Sequence, residues 1–197
     1  MVGLGCSLDP SSAPTIDVVK ASRVYPARTG WGFLNVQGLR HKVHEIRDLV
    51  KTQDLEVLGL AETWLVPGEE VRLAEFKWVG AARKGQVGRG GVGVLIKDDW
   101  TVADEVSLSS KGIEPIWVSV GNKGVADTLL GVVYFTPHCG REVFDKGAKI
   151  IDFVLEKQRE GLKIVITGDF NAHFDENGVA QDNKASFLSD LSQMAVL

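Results

Sequence analysis

Cysteine is scarce in this chain, and its scarcity excludes two kinds of protein. The 197 residues contain only Cys6 and Cys139, which are too few for a disulfide framework and not spaced as zinc ligands. The sequence also has no apolar run of about 18 residues, the length that a transmembrane helix needs. Residues 1–14 lack the basic and apolar stretches of a secretory signal. We therefore expect an intracellular protein in a reducing compartment, without a membrane partner.

A surplus of basic residues is missing as well. Lys and Arg number 22 against 26 Asp and Glu, for a net charge of −4, whereas nucleic-acid-binding domains are typically basic. Net charge alone excludes little, because metal-binding carboxylates would add negative charge beside a basic rim. Cations cluster in two segments, which hold Arg83, Lys84 and Arg89, and Lys20, Arg23 and Arg28. Scattered solvated charges explain these clusters equally well.

The composition is that of one soluble domain with a sizeable core. Apolar residues make up 44% of the chain and charged residues 24%, both ordinary values for a globular protein. Residues 1–29 are rich in Ser, Pro and small residues and show no sustained period. We expect a loosely ordered leader over 1–29 and one domain over 30–197.

Hydrophobic periodicity predicts alternating strands and helices from Trp31 onward. The predicted strands cover 31–36, 55–60, 92–96, 116–120, 129–135 and 162–167, and the predicted helices cover 41–52, 143–160 and 186–194. Two strand–helix–strand units, 31–60 and 129–168, predict parallel strand pairs with right-handed crossovers.

Polar residues lie near or just past the carboxyl ends of the strands in both units. They are Asn35, Glu62, Tyr134, Asp169 and Asn171. If both units face the same way, these side chains converge on one edge of an α/β fold, where such folds bind their ligands.

Two carboxylates and two carboxamides form a hard oxygen-donor set, which suits Mg²⁺, Mn²⁺ or Ca²⁺ better than zinc. One carboxylate would hold the metal, and the other would act as general base toward water. Tyr134 would stabilise charge as a donor or, with a lowered pKa, as a phenolate. The chemistry that fits is metal-assisted phosphoester hydrolysis. Singly, each residue has an ordinary structural explanation, such as a turn after a strand; their conjunction favours the functional one.

Three other features carry less weight. The sequence Gly88-Arg89-Gly90-Gly91-Val92-Gly93 matches a dinucleotide fingerprint formally, but a predicted strand follows it where a helix is required. His173 has a predicted structural role. Base stacking by Trp64, or by Trp78 in a predicted loop, is possible chemistry, but packing is the preferred interpretation of both.

Five segments place this chain beside a known superfamily. They are Leu34-Asn35-Val36-Gln37-Gly38-Leu39, Leu60-Ala61-Glu62-Thr63-Trp64-Leu65, Gly90-Gly91-Val92-Gly93-Val94, Val133-Tyr134-Phe135-Thr136-Pro137 and Gly168-Asp169-Phe170-Asn171-Ala172-His173. Over roughly residues 30–195 the chain resembles the endonuclease/exonuclease/phosphatase superfamily. It is most similar to the endonuclease domain of non-LTR retrotransposons, itself similar to apurinic/apyrimidinic endonucleases and deoxyribonuclease I. The resemblance implies a four-layer αββα sandwich.

The resemblance also implies roles for individual residues. Asn35 and Glu62 correspond to the metal-site pair for Mg²⁺ or Mn²⁺, with Glu62 the direct ligand. Asp169 corresponds to the residue that orients or deprotonates the attacking water, and Asn171 to its partner in holding the phosphate. Tyr134 matches a catalytic aromatic or imidazole position. Glu114, expected just before the strand 116–120, matches an acid that supports the centre.

The superfamily pattern closes with Ser-Asp-His, which these 197 residues do not contain. We therefore expect a domain that is incomplete at its C-terminus, without its last strands and with impaired activity. The leading expectation is a DNA-nicking endonuclease, nuclear, with a reverse transcriptase domain downstream in the complete protein. The alternatives are a phosphomonoesterase acting on a phosphoinositide or nucleotide, and a catalytically dead nucleic-acid-binding fragment.

Overall fold

A computed structural model describes residues 30–83, 88–107, 112–122, 124–137, 139 and 142–194. The expected leader, 1–29, lies outside the described residues. The chain forms eight strands and three helices within these ranges: β1 Trp31–Asn35, α1 Val43–Thr52, β2 Val57–Ala61, β3 Phe76–Ala81, β4 Val92–Lys97, β5 Thr101–Val106, β6 Ile113–Gly121, β7 Thr128–Phe135, α2 Glu142–Arg159, β8 Lys163–Asp169 and α3 Asn183–Met194.

The described strands form two four-stranded sheets, with the orders β1-β2-β4-β3 and β5-β6-β7-β8. Strands β1 and β2 are parallel and are joined through α1, and β7 and β8 are parallel and are joined through α2. Both predicted strand–helix–strand units are therefore confirmed. In each sheet the carboxyl ends of the two parallel strands lie at the same edge, which is the arrangement that the predicted site requires.

Three apolar clusters define four layers, in the order α, β, β, α. The cluster between the two sheets includes Phe33, Val94 and Val132. A second cluster packs α1 on the outer face of the first sheet, and a third packs α2 and α3 on the outer face of the second. Each fully buried aliphatic side chain in these clusters stabilises the fold by about 1.5–3 kcal/mol. The predicted α/β sandwich is confirmed.

Two strands, β3 and β5, were absent from the sequence prediction. Each lies at one end of its sheet among the described strands, and β5 is interrupted by a bulge between Val102 and Glu105. The placement of Trp78 in a loop was wrong, because Trp78 lies within β3.

Strand β6 begins at Ile113 rather than at residue 116, so Glu114 lies inside a strand and not before it. The strand accommodates Pro115 because pairing with β5 ends at Trp117, and Pro115 pairs with Val133 of β7 alone.

The glycine-rich stretch 88–93 leads into β4, as predicted. A strand at this position excludes the dinucleotide-binding interpretation. No helix within the described ranges is long and apolar enough to cross a bilayer.

Candidate active site

One row of side chains crosses the second sheet at its carboxyl-end edge. Glu114 of β6 pairs with Tyr134 of β7, and Tyr134 pairs with Asp169 of β8. Side chains that are paired across strands project from the same face of a sheet. Because Tyr134 belongs to the cluster between the two sheets, the row faces the first sheet.

The first sheet brings Asn35 and Glu62 to meet this row. Asn35 ends β1 and pairs with Ala61 of β2, and Glu62 follows directly. The Asn35 amide nitrogen donates to Glu62 Oε1 at 3.0 Å and to Asp169 Oδ2 at 2.7 Å. An amide has two N–H donors, so Asn35 serves one carboxylate with each. The amide bridges two acids from opposite sheets.

The backbone at this edge is held in an unusual conformation. Glu62 has φ 53° and Asn171 has φ 45°, both in the left-handed region, which non-glycine residues adopt at a cost. The Glu62 carbonyl accepts from the Gly38 N–H at 2.8 Å, which fixes the loop. In this conformation the Glu62 side chain accepts the hydrogen bond from Asn35.

Asn171 connects Asp169 to the neighbouring strand. Its backbone N–H donates to Asp169 Oδ1 at 3.1 Å, and its side-chain amide donates to the Phe135 carbonyl at 2.7 Å. Both oxygens of Asp169 therefore accept a hydrogen bond, one from Asn171 and one from Asn35. A carboxylate held at both oxygens has a fixed orientation, as a residue that positions water must have.

Tyr134 is a neutral hydrogen-bond donor in this setting. Burial, the negative charge of Glu62 and a hydrogen bond to that carboxylate raise the pKa of the phenol well above its ordinary value of 10. The phenolate alternative is therefore disfavoured, because it requires a lowered pKa.

Glu114 is nine-tenths buried and binds two partners that the sequence did not assign to it. One oxygen accepts from the Gly91 N–H at 2.6 Å, and the other pairs with the Arg83 guanidinium. The guanidinium carbon lies 5.9 Å from the centre of the Tyr134 ring. Glu114 thus enters the site through Arg83, whereas Glu62 and Asp169 meet through Asn35.

Arg83 was noticed in the sequence only as one of several clustered cations. The signal that could have identified it is its position just after β3, but that strand was itself missed. Lys84, from the same cluster, lies outside the described residues.

The residues fit a hard divalent cation, because two carboxylates and a carboxamide meet here, and no cysteine or histidine of the described residues is bonded to them. Glu62 is the acid that would hold it, and Asp169 lies beside it through the shared Asn35 amide. Asn35 directs its NH₂ group to both acids, while its oxygen accepts from the Gln37 N–H at 3.3 Å. In the parts of the chain that the structure describes, no three His, Cys, Asp or Glu side chains form a metal site by themselves. An ion here would take further ligands from water and substrate.

Neighbouring aromatic residues pack on glycine. A side chain at Gly80 or Gly93 would overlap the Trp78 indole, and one at Gly38 would overlap Trp64. The indoles thus lie flat on backbone that only glycine leaves open.

His173 is exposed, and its Nδ1 lies 2.7 Å from Asp182 Oδ2. Asp182 also accepts the Ala185 N–H at 2.8 Å in the first turn of α3. This pair fastens the loop after Asn171 to α3.

The αββα sandwich with paired acids and carboxamides at one edge defines a class of hydrolases that act on phosphoester bonds. The chain belongs to the Endonuclease/Exonuclease/phosphatase family, whose model matches residues 32–194. No significant match was found among curated proteins.

Solved structures share the fold at low sequence identity. The 3′-5′ exonuclease from Neisseria meningitidis superposes with a TM-score of 0.61 at 18% identity, covering 83% of this chain and 69% of the exonuclease. A mannosyl-6-phosphatase from Bacteroides thetaiotaomicron gives 0.57 at 18% identity over 81% of this chain and 70% of its own. The endonuclease domain of TRAS1, a telomere-specific non-LTR retrotransposon, gives 0.54 at 15% identity over 83% and 70%.

Proposed function

We propose that this domain is a divalent-metal-dependent endonuclease of the retrotransposon type, which nicks DNA with Mg²⁺ or Mn²⁺. The observation that carries the proposal is the Asn35 amide bridge between Glu62 and Asp169, because it places a metal-binding acid beside a second acid that can act on water. The retrotransposon branch of the family is favoured by two sequence motifs, Glu62-Thr63-Trp64-Leu65 and Gly168-Asp169-Phe170-Asn171-Ala172-His173.

In this mechanism each side chain does what its contacts allow. Asp169, fixed at both oxygens, takes the proton of the attacking water. Neutral Tyr134 donates to negative charge that develops on the phosphate. A bound metal, held by Glu62, would supply polarisation of the phosphate. Asn171 keeps Asp169 aligned and stands beside the phosphate position.

The proposed function also implies the partners of this domain. DNA is the substrate, and a reverse transcriptase domain follows in the complete protein. Because the target of such an enzyme is chromosomal DNA, we propose a nuclear location. No membrane partner is proposed.

The test is conversion of supercoiled plasmid to the nicked form in the presence of Mg²⁺. Asp169→Asn removes the base and should lower the nicking rate by about 10²–10⁴-fold. Asp152→Asn is the matched control, because Asp152 is an exposed aspartate of α2 in an outer layer; it should nick at the wild-type rate.

Other outcomes separate the alternatives. Nicking that survives Asp169→Asn would overturn the assignment of the base. Phosphate released from small monoesters without plasmid nicking would establish a phosphomonoesterase. Plasmid binding without either reaction would establish a nucleic-acid-binding domain.

A further inference from the structure

We propose that Arg83 is a substrate-binding residue, which contacts a phosphate oxygen of the DNA, and that Glu114 is the residue that positions it. The inference rests on the proposed function, since it names the group that binds the phosphate at the same site.

The guanidinium of Arg83 lies between Glu114 and the ring of Tyr134, within the row of side chains that crosses the second sheet. Arg83 lies two residues after the end of β3, and its side chain is only 17% exposed. Its guanidinium carbon lies 5.9 Å from the ring centre of Tyr134. The cation therefore lies next to the phenol that the proposed function places at the phosphate.

The backbone opposite Arg83 is shaped to receive it. A side chain on Gly90 would overlap Nε, Cζ and an Nη of Arg83, and Gly90 has φ 65°. The left-handed φ favours glycine, and the absence of a Cβ leaves the space that the guanidinium occupies. The next residue, Gly91, donates its N–H to Glu114 at 2.6 Å. Gly90 thus leaves room for the guanidinium, and Gly91 binds the carboxylate of Glu114.

The ion pair between Arg83 and Glu114 is better suited to orienting the guanidinium than to stabilising the fold. Glu114 binds the guanidinium through Nε, and an arginine side chain carries five N–H donors in a rigid fork. A buried ion pair adds little net stability compared with apolar residues of similar size. A fixed planar cation, in contrast, is well suited to recognition of phosphate oxygens.

The salt dependence of DNA binding distinguishes a phosphate-binding residue from a structural ion pair. Binding of a labelled short duplex is measured without metal, so that no hydrolysis occurs. Arg83→Gln should reduce the slope of log K against log salt by about 0.9, the value expected for each phosphate that a cation neutralises. Arg47→Gln is the control, because Arg47 also pairs with an acid, Asp48 at 3.5 Å, but is 45% exposed and lies on α1; its slope should be unchanged.

A double-variant comparison deals with the unpaired acid that Arg83→Gln leaves behind. If Arg83 only neutralises Glu114, the variant carrying Arg83→Gln and Glu114→Gln should bind like Glu114→Gln alone. We expect it to keep the reduced slope of Arg83→Gln. Because the double variant buries no unpaired charge, it also serves if Arg83→Gln does not fold. An unchanged slope, or recovery in the double variant, would overturn the proposal.

Hydrolysis separates this proposal from the proposed function. Arg83→Gln should lower kcat/KM for nicking by about tenfold to a hundredfold, the effect expected for removal of a hydrogen bond between charged groups. A wild-type protein that binds DNA through Arg83 but cleaves nothing would refute the function and retain the phosphate-binding role. Normal cleavage by Arg83→Gln would refute that role and retain the function.

Discussion

The side-chain amide of Asn35 donates a hydrogen bond of 2.7 Å to the carboxylate of Asp169, which lies 134 residues later in the chain. The same nitrogen donates to Glu62 at 3.0 Å. The two acids come from different sheets, and the amide that joins them belongs to a third strand end. The position of the proposed metal-binding acid, Glu62, relative to the proposed base, Asp169, therefore depends on Asn35.

Asn35→Ala should therefore weaken Mn²⁺ binding and slow nicking by about tenfold to a hundredfold, the usual cost of losing a group that orients metal ligands. Mn²⁺ binding is measured by calorimetry and nicking on supercoiled plasmid. Asn122→Ala, an exposed asparagine after β6, is the control and should change neither. Wild-type metal affinity in Asn35→Ala would show that the acids keep their places without the bridge.

The raised pKa of Tyr134 predicts a loss of stability at high pH. The unfolded chain ionises the phenol near pH 10, whereas the folded chain keeps it protonated to a higher pH. The unfolded state then binds fewer protons than the folded state, so the free energy of unfolding falls as pH rises above about 10. Denaturant unfolding between about pH 8 and about pH 11, a range that brackets the ordinary phenol titration, measures the slope.

Tyr134→Phe removes this titration and should flatten the alkaline slope. The difference in absorbance at about 295 nm between wild type and variant should show the phenol ionising above its ordinary range. Ionisation of Tyr134 at its ordinary pKa of about 10 would contradict the prediction and reopen the phenolate alternative.

Two variants at Asn171 distinguish the cost of its backbone conformation from the function of its side chain. Its φ of 45° favours glycine over alanine by about 1 kcal/mol, once the greater flexibility of unfolded glycine is subtracted. Asn171→Gly should consequently be more stable than Asn171→Ala by thermal unfolding, while both lose nicking activity because both lose the hydrogen bond to Phe135. Equal stability would mean that the loop relaxes its conformation in the variants.

Asp182 predicts the behaviour of the domain in acid. Burial acts to raise the pKa of its carboxyl, but hydrogen bonds from the Ala185 N–H and His173 lower it overall. The resulting stability is present above the unfolded pKa of 3.8 and is lost as pH falls through the lower folded value.

Asp182→Asn keeps a side-chain acceptor in the first turn of α3 and should lose less stability than the wild type as pH falls from about 5 to about 3. Asp182→Ala should cost about 1 kcal/mol at neutral pH. Unfolding followed at several pH values measures both. The prediction would be contradicted if the free energy of unfolding fell equally with pH in the wild type and in Asp182→Asn.

The strand ends were predictable from the sequence because each apolar run reaches a polar residue. Asn35, Glu62, Tyr134 and Asp169 lie at or next to the carboxyl ends of their strands, and the parallel crossovers bring those ends together. What the periodicity could not give is the partner of each group. The bridge by Asn35 depends on how two sheets are aligned, and no local pattern encodes that alignment.

The errors fall where local signals are weak. Strand β3 is partly exposed and contains Gly80, and β5 is polar and bulged, so neither shows a clean alternation of buried and exposed residues. Missing β3 removed the structural context of Arg83. Placing the start of β6 after Pro115 left Glu114 outside the strand, although cross-strand pairing aligns it with Tyr134.

The cross-sheet bridge also has a consequence for folding kinetics. Residues 30–97 supply Asn35 and Glu62, and residues 101–169 supply Tyr134 and Asp169, so neither half of the sequence can assemble the site. Closing a contact across 134 residues is entropically costly and tends to be slow. Recovery of catalysis during refolding would therefore report the docking of one sheet on the other, and it should lag behind the return of secondary structure.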